Sequence, residues 1–295
     1  MGPETGGRGS ETRRVLSSEL LGFPPDARVL ILNADDLGMS AAVNAGVIAA
    51  VEEGIATSCS LMVPCPGAAE AMRMLHERPH VPFGIHLTLV RDHPHDRWSP
   101  VAPSGDVPTL VDADGLLPLY EQVGELLARA RIEEVEREFR AQLGVALAAG
   151  LRPTHLDFHS IADGGRVDVL DLAVALAAEH GLAVRVWLGP GRRLARAHGR
   201  PVVDHPFLDS TRLDPATKGD RYAQLLRALP PGLTEWAVHP AAADAAAEAA
   251  DPSGWRGRRG DLEFLVSPQA RTIVTDEGVM LIGYRPLQDA WRITA

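Results

Sequence analysis

Cysteine is nearly missing from this chain of 295 residues. There are two, Cys59 and Cys65, and no Cys-x-x-Cys spacing. Two thiols are too few for a disulfide framework, and their place around an apolar segment reads as buried free thiols. Long hydrophobic runs are also lacking, which excludes a membrane-spanning helix. The stretch from Met1 to about Arg14 is Gly-, Glu-, Arg-, Ser- and Thr-rich and has no apolar centre, so it does not read as a secretory signal. The expected location is the cytoplasm. Positive charge is in deficit, with 29 Lys and Arg against 39 Asp and Glu and a net charge of −10. Phosphate contact needs clustered Lys and Arg, so a nucleic-acid partner is excluded. What the chain does have is 45% hydrophobic residues, enough for a sizeable core in one large α/β barrel or two smaller domains.

Strand-like and helical segments alternate from residue 27 onward. Strands are expected near Ala27–Ala34, Thr57–Val63, Phe83–Leu89, Thr154–His159, Ala183–Trp187, Thr234–His239 and Val279–Tyr284. Helical spacing lies between them: from a Ser40 cap to Gly54, then Gly67–Glu77, Leu119–Ala149, Val167–His180, Arg221–Leu229 and Leu262–Thr275. Residues 188–219 read as irregular. Val90–Leu117 is a Pro/Gly/Asp-rich loop too long for a plain connector, so it either shapes a site or moves. The alternation implies a parallel sheet. About seven strands in one chain of this length fit a single distorted (β/α) TIM-like barrel over 27–295, preceded by a disordered tail over 1–26.

In such barrels chemistry gathers at the C-terminal strand ends, where this sequence repeatedly places polar residues. Asp35 and Asp36 follow the first apolar run within Asn33-Ala-Asp-Asp-Leu-Gly-Met-Ser40. Strand neighbours point to opposite faces, but a bend at Gly38 lets both carboxylates reach one site. Like charges so close push their protonation apart, and a cation would relieve them. One carboxylate would then hold a metal while the other handles protons. A simple helix cap is the competing reading, and Ser40 already supplies that cap. His86 interrupts the apolar strand Phe83-Gly-Ile-His-Leu and needs a partner or a metal. His155, Asp157 and His159 alternate with Leu156 and Phe158 and share one strand face. His239 stands before Pro240 at a strand end. Arg185, in a β-like run, pairs with a catalytic carboxylate, holds substrate or lies exposed. His93 and His95 fall in the long loop near the mouth. One Asp with two His is a hydrolytic metal set with open positions. It suits Zn²⁺ better than the oxygen-preferring Mg²⁺, which remains an alternative.

Taken together, Leu32-Asn-Ala-Asp-Asp-Leu-Gly38, Asn44-Ala-Gly-Val-Ile48, Gly54-Ile-Ala-Thr-Ser58, Phe83-Gly-Ile-His-Leu87, Pro153-Thr-His-Leu-Asp-Phe-His159 and Val238-His-Pro240 resemble the YdjC/ChbG-type carbohydrate deacetylase family. The resemblance implies a (β/α) barrel that removes acetyl from an N-acetylated sugar. It implies Asp36, His86 and His159 as ligands of one divalent metal, Asp35 as general base and His239 as general acid. His155, Asp157 and Arg185 are left for substrate binding or support of the ligands. Homodimers are common in the family. The chain departs from its relatives at Ser160-Ile-Ala-Asp163 and in the Ala-rich 241–250 segment, around the expected substrate mouth.

Two alternatives stand beside this reading. A metal-dependent hydrolase of another bond, such as a phosphoester, commonly uses two metals and basic clamps, and ligands for only one are evident. A non-catalytic sugar-binding or regulatory protein on a deacetylase scaffold would not need Asp35 or the full ligand set.

Overall fold

The computed structural model describes residues 15–294. Eight strands, all parallel to their partners, form one sheet: β1 Arg28–Leu37, β2 Ser58–Leu61, β3 Phe83–Leu87, β4 His155–Phe158, β5 Ala183–Val184, β6 Leu208–Asp209, β7 Gly232–Val238 and β8 Met280–Leu281. Seven of them follow the order β5-β4-β3-β2-β1-β7-β6, with β8 set against β1. The curled sheet is a half-barrel, a distorted TIM-like arrangement. β1 is long enough to divide one edge: Val29 and Leu30 pair with β8, and Asn33 to Leu37 pair with β2. Val29, Leu30, Ile31 and Leu32 are all buried, as an unbroken apolar run in a parallel sheet requires. Each contributes about 1.5–3 kcal/mol of apolar burial.

Helices cover the sheet between strands. Ala41–Glu52 starts where Ser40 Oγ accepts from Val43 N, the expected cap, and Ile132–Ala148 packs on β3. Four expectations are corrected. Residues 15–26 are not a disordered tail: Ser17–Leu20 is helical, Ser17 and Ser18 are buried, and Ser17 N lies 3.0 Å from both carboxylate oxygens of Asp204. Residues 1–14 lie outside the described residues. The stretch 188–219 contains the helix Gly189–Ala197, β6 and a short turn at Ser210–Arg212. The single helix expected over 262–275 is two, Pro252–Leu265 and Pro268–Asp276, restarted by Ser267. The last strand is only Met280–Leu281 and is followed by the helix Arg285–Ile293.

The long loop is a built wall. Glu138, buried on the Ile132–Ala148 helix, accepts from Val101 N at 3.0 Å and Ala102 N at 2.9 Å. Glu134 accepts from Thr109 N at 2.7 Å. Trp98, Val107 and Leu110 of the loop itself are buried.

Candidate active site

A backbone irregularity makes the site possible. The β1–β2 register slips between Ala34 and Leu37, and Asp36 takes φ 70°, a left-handed conformation uncommon outside glycine. A bulge breaks the alternation of faces, so Asp35 and Asp36, both buried, approach the same group of histidines. Gly38, at φ 100°, completes the turn.

Asp36, His86 and His159 offer ligand atoms within 4.8 Å of one another. His86 Nε2 lies 3.5 Å and His159 Nδ1 3.3 Å from Asp36 Oδ1. That oxygen is buried and makes no hydrogen bond, a costly state for a carboxylate unless a cation is its partner. The opposite nitrogens are fixed: His86 Nδ1 lies 2.9 Å from Asp157 Oδ1, and His159 Nε2 2.9 Å from Asp92 Oδ1. Each carboxylate takes the ring N–H on its side, so that the other nitrogen is the one whose lone pair would face an ion beside Asp36 once its own proton is displaced. This is the carboxylate–histidine arrangement of metal sites. The donor set therefore fits one divalent ion. Burial alone would lower the imidazole pKa values. Asp157 and Asp35 instead hold His86 up at about 10, and Asp92 and Asp36 hold His159 up at about 9. Burial alone would raise Asp36; Arg258, His159, His86 and His239 outweigh it and keep the carboxyl well below its ordinary range. Arg258 Nη2 sits 2.7 Å from Asp36 Oδ2.

Asp35 does not share that partner. Arg185 grips it twice, Nη1 to Oδ2 at 2.8 Å and Nη2 to Oδ1 at 2.9 Å, and Asn33 Nδ2 donates to Oδ1 at 2.6 Å. Against the raising effect of burial, Arg185 and His86 keep Asp35 below its ordinary range. Arg185 is buried, not exposed. It also contacts Asp157 at 3.0 Å and Glu235 at 2.8 Å, so its donors serve carboxylates rather than a ligand. Ser60 Oγ donates to Asp157 Oδ2 at 2.5 Å. His155 lies deeper. Its Nδ1 is 2.9 Å from Thr154 Oγ1, and its ring stacks on Tyr284 at 3.6 Å. Gly84 makes room for it, since a Cβ there would fall 2.4 Å from His155 Nε2.

A cavity of about 700 Å³ opens over these groups, lined by Asp35, Asp36, His86, His159 and His239, the last following β7 where Val238 pairs with Ala34 of β1. His93 and His95 stack at 5.1 Å on the long-loop wall. Trp187 and Phe207, stacked at 3.9 Å, line another part. His239 is half-buried, and its Nδ1 lies 2.9 Å from Ser210 Oγ. Its place depends on close packing: a Cβ on Gly46 would fall 2.4 Å from Ala241 Cα, two residues beyond His239. Sequence reasoning missed Asp92, Arg258, Glu235, Ser210 and Asp261. Asp92 carried one signal, standing six residues after His86 and beside His93. Arg258 lies in the basic run Arg256-Gly-Arg-Arg259, where nothing local marks it.

Comparison with known proteins gives a consistent picture. The family described as YdjC-like protein matches residues 29–276. A carbohydrate deacetylase of Geobacillus stearothermophilus is 35% identical over 88% of this chain and 97% of its own length. A chitooligosaccharide deacetylase of Serratia marcescens is 27% identical over 88% and 99%. The crystal structure of an Enterococcus faecalis V583 protein, assigned provisionally to cellobiose-phosphate cleavage, superposes with a TM-score of 0.76 at 28% identity, covering 88% of this chain and 99% of that one.

Proposed function

This chain belongs to the YdjC-like family, and on that premise we propose that it hydrolyses the acetamide of an N-acetylated sugar with the help of one divalent metal ion. The observation that carries the reading is Asp36 Oδ1, buried and unpartnered, with His86 Nε2 and His159 Nδ1 closing on it. Asp36, His86 and His159 would hold the ion, Zn²⁺ by preference for a set with two imidazoles and Mg²⁺ as the alternative. A divalent ion there supplies acidity to water and polarisation to a carbonyl.

The remaining steps belong to the side chains. Asp35, kept ionised by Arg185, is the general base and takes the proton of the attacking water. Because its basicity is lowered, it works on a water already made acidic. The water oxygen bonds to the acetyl carbon, giving a tetrahedral oxyanion. His239, at the end of the neighbouring strand β7, gives a proton to the nitrogen as the C–N bond breaks, and acetate and the amino sugar leave. An amine needs that proton to depart. Asp157 and Asp92 hold the two imidazoles, and His155 supports Asp157 from below. The substrate class is an N-acetylglucosamine-type mono- or oligosaccharide or glycoconjugate. The reading extends to a homodimeric cytoplasmic enzyme.

The test is acetate release from a panel of N-acetyl sugars, with and without chelator. Release that stops on chelation and returns with Zn²⁺ is expected. No release from any N-acetyl sugar by fully loaded protein, or release indifferent to chelation, overturns the proposal.

A further inference from the structure

Beyond the ligand cluster, a second polar network stands on the His239 side of the cavity. Its parts come from separate elements: Ser210 from the turn after β6, Lys218 and Tyr222 from the helix Lys218–Arg227, and Asp261 from the helix Pro252–Leu265. Ser210 and Asp261 are fully buried. Asp261 Oδ1 receives Lys218 Nζ at 2.8 Å and Tyr222 Oη at 2.6 Å. Its Oδ2 receives the His239 backbone N–H at 2.9 Å and Ser210 Oγ at 2.6 Å. All four partners of this carboxylate are donors.

We propose that Ser210, anchored by Asp261, is the positioning residue of His239 and fixes which ring nitrogen carries the exchanged proton. The argument is one of hydrogen count. A hydroxyl has one proton, and Ser210 spends it on Asp261. Toward His239 Nδ1, 2.9 Å away, Ser210 Oγ can then only accept. Nδ1 therefore bears a hydrogen, and Nε2 is the nitrogen left to face the cavity. Among the described residues Nε2 makes no hydrogen bond. This rests on the proposed acid role of His239 and specifies it. When the C–N bond breaks, its electron pair stays on nitrogen and takes the Nε2 proton. The ring that remains is neutral with hydrogen on Nδ1, the form Ser210 holds. The backbone bond from His239 N to Asp261 ties the ring and its anchor to the same carboxylate. Lys218, buried and in contact with no other carboxylate among the described residues, keeps Asp261 in place.

The experiment uses full-length, zinc-loaded protein labelled with ¹⁵N-histidine, with the His239 ring signals identified by their loss in His239→Gln. In the neutral wild-type ring, Nδ1 is expected to carry the hydrogen. In Ser210→Ala the population moves toward hydrogen on Nε2. Turnover of an N-acetyl sugar then falls about tenfold, the worth of one buried hydrogen bond, with KM within about twofold. Hydrolysis of an activated acetate ester, whose leaving group needs no proton, is largely spared. Ser210→Thr, which keeps the hydroxyl, restores tautomer and turnover together. A wild-type ring with its hydrogen on Nε2 overturns the proposal, as does a Ser210→Ala protein with unchanged tautomer and turnover. If Ser210→Ala does not fold, the wild-type spectrum still decides. The tautomer is read without substrate, so a failure of the deacetylation reading and a failure of this one are seen separately.

Discussion

Asp35 and Asp36 are chain neighbours with opposite surroundings. Asp35 has every oxygen engaged, by Arg185 and Asn33, whereas Asp36 keeps one buried oxygen without a partner. Replacing Asp35 by Asn preserves shape but removes a proton acceptor. Asp35→Asn should retain the metal and the fold while turnover drops about a hundredfold to ten-thousandfold; near wild-type acetate release from a metal-saturated variant would make Asp35 structural. His155 and His159 give a second contrast. His159→Ala should lose most bound metal by elemental analysis, and His155→Ala should keep it, because His155 bonds Thr154 and stacks on Tyr284. Full retention in His159→Ala would sink the ligand assignment. At this scale the sequence was informative wherever a polar residue interrupted an apolar strand, as at His86, or sat at its end, as at His239. It gave only a faint signal for Asp92 and none for Arg258 and Asp261. Those residues lie on loops and helices where a charge is ordinary, and only the fold aims them inward.

Elements were legible where periodicity was clean and obscure where proline opened a helix. Pro190, Pro252, Pro268 and Pro286 all stand in the first turn of a helix, where a missing N–H costs nothing. A Gly-Pro-Gly start such as 189–191 looks like a turn, so the helix behind it reads as irregular chain in the sequence. β6 was unreadable for another reason: two residues carry no pattern, and pairing with Trp236 and Ala237 of β7 defines it. The long loop illustrates a third case. Its composition told of length and of breaks, but its rigidity comes from Glu134 and Glu138 on a helix distant in sequence. Glu138→Ala would strand the half-buried N–H of Val101 and the buried N–H of Ala102. A stability loss of about 2–4 kcal/mol is expected from two orphaned donors, measured as a fall in the urea midpoint. An unchanged midpoint would mean that the wall holds itself.

For the whole molecule, strand–helix alternation was enough to foresee a parallel barrel, while the divided edge of β1 followed from no local signal. The site's electrostatics also act globally. In the metal-free protein, His86 and His159 are held protonated to about 10 and about 9, against an ordinary 6.5. The sign follows: their charged forms stabilise the metal-free fold fully below about pH 6.5, and that support is lost as pH rises through 9 to 10. A metal must displace these protons, so its affinity should rise with pH, about tenfold per unit for each proton released. Competition against a chelator of known affinity at several pH values between 6 and 9 measures this, and a flat profile would contradict it. The contact of Gly46 with Ala241 has a different consequence. The helix after the acidic pair and the segment after His239 meet with no side chain between them. The backbone just beyond His239 is thus seated against that helix at a distance that leaves no room for a methyl group at position 46. Over evolutionary time position 46 is not free to vary alone. Any lineage that places a side chain there must also move the backbone at Ala241, and with it the seat of His239 two residues earlier.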